Sequence, residues 1–88
     1  MAGYLGLNPE EMQQLVQVLR KKADKIEELV GKLNQQVKAT TWDGPDAERF
    51  KSEWEGKHQT ALKQVAQALE QISQAAKKEL EQQKATSH

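Results

Sequence analysis

From Met12 onward an apolar residue returns every seventh position, at Leu19, Ile26 and Leu33, with Leu15 and Leu29 in between and Val16, Ala23, Val30 and Val37 alongside. Seven residues are close to two turns of a helix, so these positions form one continuous stripe, broader than the seam of a simple zipper. Lys22 and Gln36 interrupt the intermediate position. Gly31 weakens the helix locally by about 1 kcal/mol relative to alanine. A stripe this wide has room for two neighbours, which points to a helical bundle.

The ends of this helix are written in the sequence. Asn8 suits the N-cap, Pro9 the first helical position, and Glu10 and Glu11 put negative charge where the helix dipole favours it. Residues 1–7 carry two glycines and no helical period, so they read as a loose arm in which Tyr4, Leu5 and Leu7 can dock locally. The pattern is lost at Lys38-Ala39-Thr40-Thr41, and Thr41-Trp42-Asp43-Gly44-Pro45-Asp46 is the internal turn signal. Asp43 or Gly44 can cap a second helix that starts at Pro45. Its stripe begins Ala47, Phe50, Trp54, passes His58 and Ala61 to Leu62, and settles into Val65, Leu69, Ile72, Ala76 and Leu80. The first steps are fours and the later ones alternate three and four, so the stripe drifts before it follows a coiled-coil course.

The expected fold is therefore all-α: an antiparallel two-helix hairpin that dimerises into a four-helix bundle. It forms a single domain over 1–88, with a flexible arm at 1–7, helix one at about 8–39, the turn at 40–45, an unbroken helix two at about 45–83 and a frayed tail at 84–88. The residues expected inside the bundle, in the hairpin or dimer interface, are Leu15, Leu19, Ile26, Leu29, Leu33, Phe50, Trp54, Leu62, Val65, Leu69 and Ile72.

Composition supports helices in need of a second layer. Hydrophobic residues make up 36% and charged residues 30% of 88 positions, and a chain this short has little interior of its own. Thirteen basic residues balance thirteen acidic ones, so no net field favours nucleic acid. Without cysteine there are no disulfides, thiol catalysis or thiolate metal sites. The first residues show no basic leader followed by an apolar segment, and nothing approaches the roughly 18 apolar residues of a spanning helix. Neither membrane insertion nor a cleavable signal peptide is expected.

Chemistry has few carriers. Glu55-Gly56-Lys57-His58 sets a carboxylate and an imidazole at the spacing used by di-iron bundles, but such a site needs a second copy and further inward glutamates. His58 reads instead as a residue at the margin of the stripe with one nitrogen hydrogen-bonded. Ser52, Ser73 and Ser87 lack a histidine and an acid at triad spacing, and there is no phosphate-binding glycine loop. The basic run Arg20-Lys21-Lys22-Ala23-Asp24-Lys25 is spread around its helix as a solvated face. The chain is read as non-enzymatic, with no cofactor and no metal. Trp54, in register with Phe50 and Leu62, is a bundle residue whose indole N–H needs a polar neighbour. Trp42, at the bend, is either an aromatic plug closing the tip or a surface for a partner, and the two roles are compatible.

Trp42-Asp43-Gly44 at the centre of a short cysteine-free hairpin, followed by Ala47, Phe50, Trp54 and Leu62, resembles the small W-x-G proteins of the early-secreted-antigen type, over nearly the whole chain. The resemblance implies export through type VII secretion by a membrane ATPase, without a cleavable signal and as a folded homodimer or heterodimer with a related W-x-G protein. The protein would reach the cell surface or the medium after synthesis in the cytoplasm. It also implies an export motif at Trp42 and Gly44, and family roles as partners of larger toxins or as virulence-associated modulators of host cells. The family's signal adds a Tyr-x-x-x-Asp/Glu element after helix two, whereas the tyrosine here is Tyr4. Either a partner chain carries that element or the composite signal is incomplete. An intracellular adaptor or chaperone that binds a larger protein through the apolar stripe is the alternative function.

Overall fold

The computed structural model describes the backbone of residues 6–86 and side chains through Gln83. Among the described residues every regular element is helical: α1 (Pro9–Ala39), α2 (Pro45–Glu53), a π-helical turn (Trp54–His58) and α3 (Gln59–Thr86). The chain is a helical hairpin whose first arm is α1 and whose second arm runs through α2, the π turn and α3. The expectations for Tyr4 and Leu5 and for the tail beyond Thr86 lie outside the described residues.

Local chemistry sets the helix ends. The Asn8 carboxamide oxygen accepts the Glu11 backbone N–H at 3.1 Å, satisfying one of the orphan donors at the start of α1. At the other end the Thr40 hydroxyl donates to the Gln36 carbonyl at 2.7 Å, and the Thr40 backbone N–H reaches the same oxygen at 3.1 Å. Four residues later Gly44 takes φ 111° and ψ 174°, which launches α2 at Pro45 without a side-chain cap.

The arms meet along their smallest residues. Val16, Ala23 and Val30 of α1 and Ala66, Ser73 and Leu80 of α3 are buried, each set at seven-residue spacing, and Ala47 and Trp54 extend the buried line towards the bend. Small side chains let two helices approach closely, and close approach brings the next row, Leu19, Ile26, Leu62 and Leu69, to half-burial on the flank. Hydrogen bonds cross between the arms. The Ser73 hydroxyl, 1% exposed, donates to the Val16 carbonyl at 3.0 Å, and the Trp54 indole N–H donates to Asn34 Oδ1 at 3.3 Å. They fix which turns lie level: Val16 with Ser73, and Asn34 with Trp54.

The second arm is not the unbroken α-helix expected from the sequence. Between Trp54 and His58 the winding loosens, and the Gln59 N–H reaches back five residues to the Trp54 carbonyl. One residue is thereby absorbed. Ala47 and Trp54 are seven apart and Ala66, Ser73 and Leu80 are seven apart, whereas Trp54 to Ala66 is twelve, three turns plus one extra residue. The drift visible in the sequence is taken up in this single turn. As a result His58 and Ala61, placed in the stripe by their spacing, are exposed, and Gln59 is half-buried instead.

The hairpin is a rod of 66 × 16 × 16 Å with a radius of gyration of 19.6 Å. A compact domain of this length would have about 12 Å. Its accessible surface of 6970 Å2 exceeds by about a third the value of roughly 5,200 Å2 usual for a compact protein of this mass. A two-layer hairpin leaves more of its area uncovered than a compact domain does.

Candidate functional site

Two features stand out from the fold: the tip of the hairpin and one of its broad faces. At the tip, Trp42 packs on Phe50 with ring centroids 5.5 Å apart and planes inclined at 49°. Lys51 Nζ lies 3.5 Å from the Trp42 carbonyl and ties the loop back to α2. Together with Leu33, Gln36, Val37 and Thr40, these residues line an open apolar cleft of about 280 Å3. Trp42 keeps 42% of its surface exposed. The ring is thus packed on Phe50 beside a tethered backbone, with less than half of the residue's area left to solvent.

Gly44 is what makes this loop possible. Its φ and ψ fall in a region closed to side-chain-bearing residues, while the space around it is open: a Cβ placed there would meet no atom within 4 Å. The glycine of Trp-x-Gly is therefore required by backbone conformation and not by close approach of the tryptophan ring.

Of the residues expected inside the bundle, Trp54 is buried within the hairpin, and Leu19, Ile26, Leu62 and Leu69 are half-buried on the flank. Leu15, Leu29, Leu33, Phe50, Val65 and Ile72 are all exposed. Their placement is regular. Leu15 and Leu29 each precede a buried residue of α1, and Val65 and Ile72 each precede a buried residue of α3. In two antiparallel helices the same angular offset from the seam points to the same side, so these residues form one apolar face of the rod. Leu33 and Phe50 carry that face to the tip cleft.

The opposite side is polar. Gln13, Gln17 and Arg20 of α1 meet Glu70, Gln74, Lys77 and Glu81 of α3 around shallow clefts of about 150 and 240 Å3. The hairpin is therefore amphipathic as a whole body, with charge on one broad side and half-exposed aliphatic side chains on the other.

Ser73 is the site-shaping residue that pattern reading missed. A serine in an apolar register looks like a blemish, and its value lies in a carbonyl 57 positions away in sequence that only folding brings near. Glu55 and His58 both point to solvent from the π turn, and among the described residues no cluster of three or more His, Asp or Glu side chains is arranged to hold a metal ion. Likewise among the described residues, no helix is long and apolar enough to cross a membrane.

Comparison with curated proteins and with solved structures gives no match. A family model does match: the one described as proteins of 100 residues with WXG aligns with residues 5–83, spanning both arms and the bend with Trp42 and Gly44 at its centre. With a central Trp-x-Gly turn, a two-arm helical body and that match over most of its length, the chain belongs to the WXG100 family, small helical proteins associated with type VII secretion.

Proposed function

We propose that this protein is a non-enzymatic substrate, or a co-secreted partner, of a type VII secretion system, carried out of the cell as a folded hairpin paired with a related W-x-G protein. The observation that carries the reading is the joint placement of the family's turn and the apolar face. Trp42 is displayed at the tip of the rod, and the largest aliphatic side chains are left on a single side. The first suits recognition by a secretion ATPase and the second suits a four-helix bundle.

Area supports the pairing. The 31 residues of α1 extend about 46 Å. Over the 16 Å width of the rod they give a face of roughly 750 Å2 per partner, or about 1,500 Å2 for two, the standard size of a stable interface. Burying half-exposed leucine, valine and phenylalanine there supplies about 1 kcal/mol for each, and several together offset the entropy of association.

The test is export of Trp42→Ala from cells that carry the secretion machinery, scored in the culture medium and alongside circular dichroism of the purified variant. Helices retained with export lost is the expected pair of results. Normal export of Trp42→Ala would remove the tip from the reading, and retention of the wild-type chain inside such cells would favour the adaptor function instead.

A further inference from the structure

The buried line of α1 runs out before the helix does. Val16, Ala23 and Val30 are buried, but Val37, the next residue at the same spacing, is only half-buried, and Leu33, one turn before it, keeps 38% of its surface exposed. Beyond the bend α2 contributes a single buried residue, Ala47. Between them Thr40 leaves α1 with extended backbone, and helix resumes only at Pro45. The arms therefore close less tightly at the tip than along the rod, and the open cleft of about 280 Å3 is what remains. Folded interiors are normally filled.

Leu33, Val37, Trp42 and Phe50 make the lining of this cleft chiefly hydrocarbon. An apolar cavity of about 150 Å3 takes up benzene, so by proportion the tip has room for roughly ten carbons. Lys51 sets the charge of an occupant. It is the one charged residue of the lining, it is half-buried, and its Nζ lies at the long limit of a hydrogen bond, 3.5 Å from the Trp42 carbonyl. Nearby acids leave it unanswered. Asp46 is paired with Arg49 at 2.8 Å, while Glu48 and Glu55, about a turn away on either side, are exposed and form no ion pair with Lys51 among the described residues. A cation partly withdrawn from water beside hydrocarbon gains most from an anion that brings its own apolar body.

We propose that the tip cleft is a binding site for a medium-chain fatty acid. The chain, of about ten carbons, lies against Leu33, Val37, Trp42 and Phe50, and the carboxylate takes Lys51 Nζ in a charge-assisted bond that replaces the long contact to the Trp42 carbonyl. Neither pairing of the hairpin nor its export is needed for this site, so its failure would leave both readings standing.

Titration of the isotope-labelled full chain, followed by amide NMR shifts, tests this with decanoate, decanol and decyltrimethylammonium, each kept below micelle formation. Decanoate should move the amides of Leu33, Val37, Trp42, Phe50 and Lys51 saturably and bind about tenfold more tightly than decanol, with the ammonium weakest. Lys51→Met should lower decanoate to the affinity of decanol and leave decanol unchanged, and Lys51→Arg should keep the preference; circular dichroism of each variant checks the helices. Shifts that fail to saturate at the tip, or that follow Leu15, Leu29 and Ile72 along the rod, would mean that hydrocarbon merely coats the apolar face, and the proposal is overturned. Equal affinity for decanoate and decanol, or a Lys51→Met variant that weakens both alike, would make Lys51 a tether of the loop and overturn recognition of the carboxylate.

Discussion

Gly44 and Gly31 carry opposite expectations although neither is crowded. Gly44 sits at φ 111° with open space around it, so Gly44→Ala should cost about 1–3 kcal/mol through backbone strain alone. Gly31 is an exposed helical residue with equally open surroundings, so Gly31→Ala should add about 1 kcal/mol. Urea unfolding of the two variants reads the signs directly; equal shifts would show that the bend does not hold Gly44 in its unusual conformation. The tryptophans separate in the same way. Trp54 is buried and bonded to Asn34, and its replacement by alanine should cost about 3–5 kcal/mol, enough to unfold a marginal hairpin. Trp42 packs on Phe50 and keeps 42% of its surface exposed, so Trp42→Ala should cost less, about 2 kcal/mol. If Trp42→Ala unfolds the chain, the residue is architectural and its exposure is incidental.

At the scale of the elements, the π turn makes a deletion experiment informative. Removing Gly56 takes out the extra residue, leaving eleven steps from Trp54 to the position of Ala66, a whole number of turns within about 20°. The second arm should then wind as an ordinary α-helix with both of its buried lines still facing α1. Removing Gln71, which lies beyond Ala66, should instead turn Ser73 and Leu80 by about 100° relative to Ala66 and the bend, costing the Ser73–Val16 bond. Thermal unfolding should show the Gly56 deletion within about 1 kcal/mol of wild type and the Gln71 deletion strongly destabilised; the reverse order would mean that the π turn is not a register device. The hairpin itself was legible in the sequence because caps are local: Asn8-Pro9 with two glutamates, and Gly44-Pro45 with Asp46, state where helices begin whatever they pack on. Which row of a wide stripe becomes the seam is not local. Hydrophobicity favours the leucines, but the arms close on Val16, Ala23, Val30, Ala66 and Ser73, since small residues permit the approach that half-buries a leucine flank. The π turn left one trace, a step of eight from Trp54 to Leu62 among steps of seven, with a glycine inside it.

For the whole molecule, a rod whose interior is mostly valine, alanine and one serine has little apolar burial of its own. The isolated hairpin should unfold in urea with a free energy below about 5 kcal/mol, at the bottom of the range for folded domains. A value above about 10 kcal/mol would show that two arms suffice and that the bare leucines need no cover. The polar side constrains the assembly too. With Arg20, Glu70 and Lys77 around its clefts, stacking there would bury charge, so the proposed pairing is confined to the apolar side.

The buried line also makes the rod extensible. Because Val16, Ala23 and Val30 repeat at the interval of Ala66, Ser73 and Leu80, seven residues spliced into each arm at matching heights would lengthen the body by about 10 Å and leave every face where it is. Splices of five would wring the arms apart. Length is thus a free variable of this architecture in units of two helical turns, while the bend and its tryptophan stay as they are.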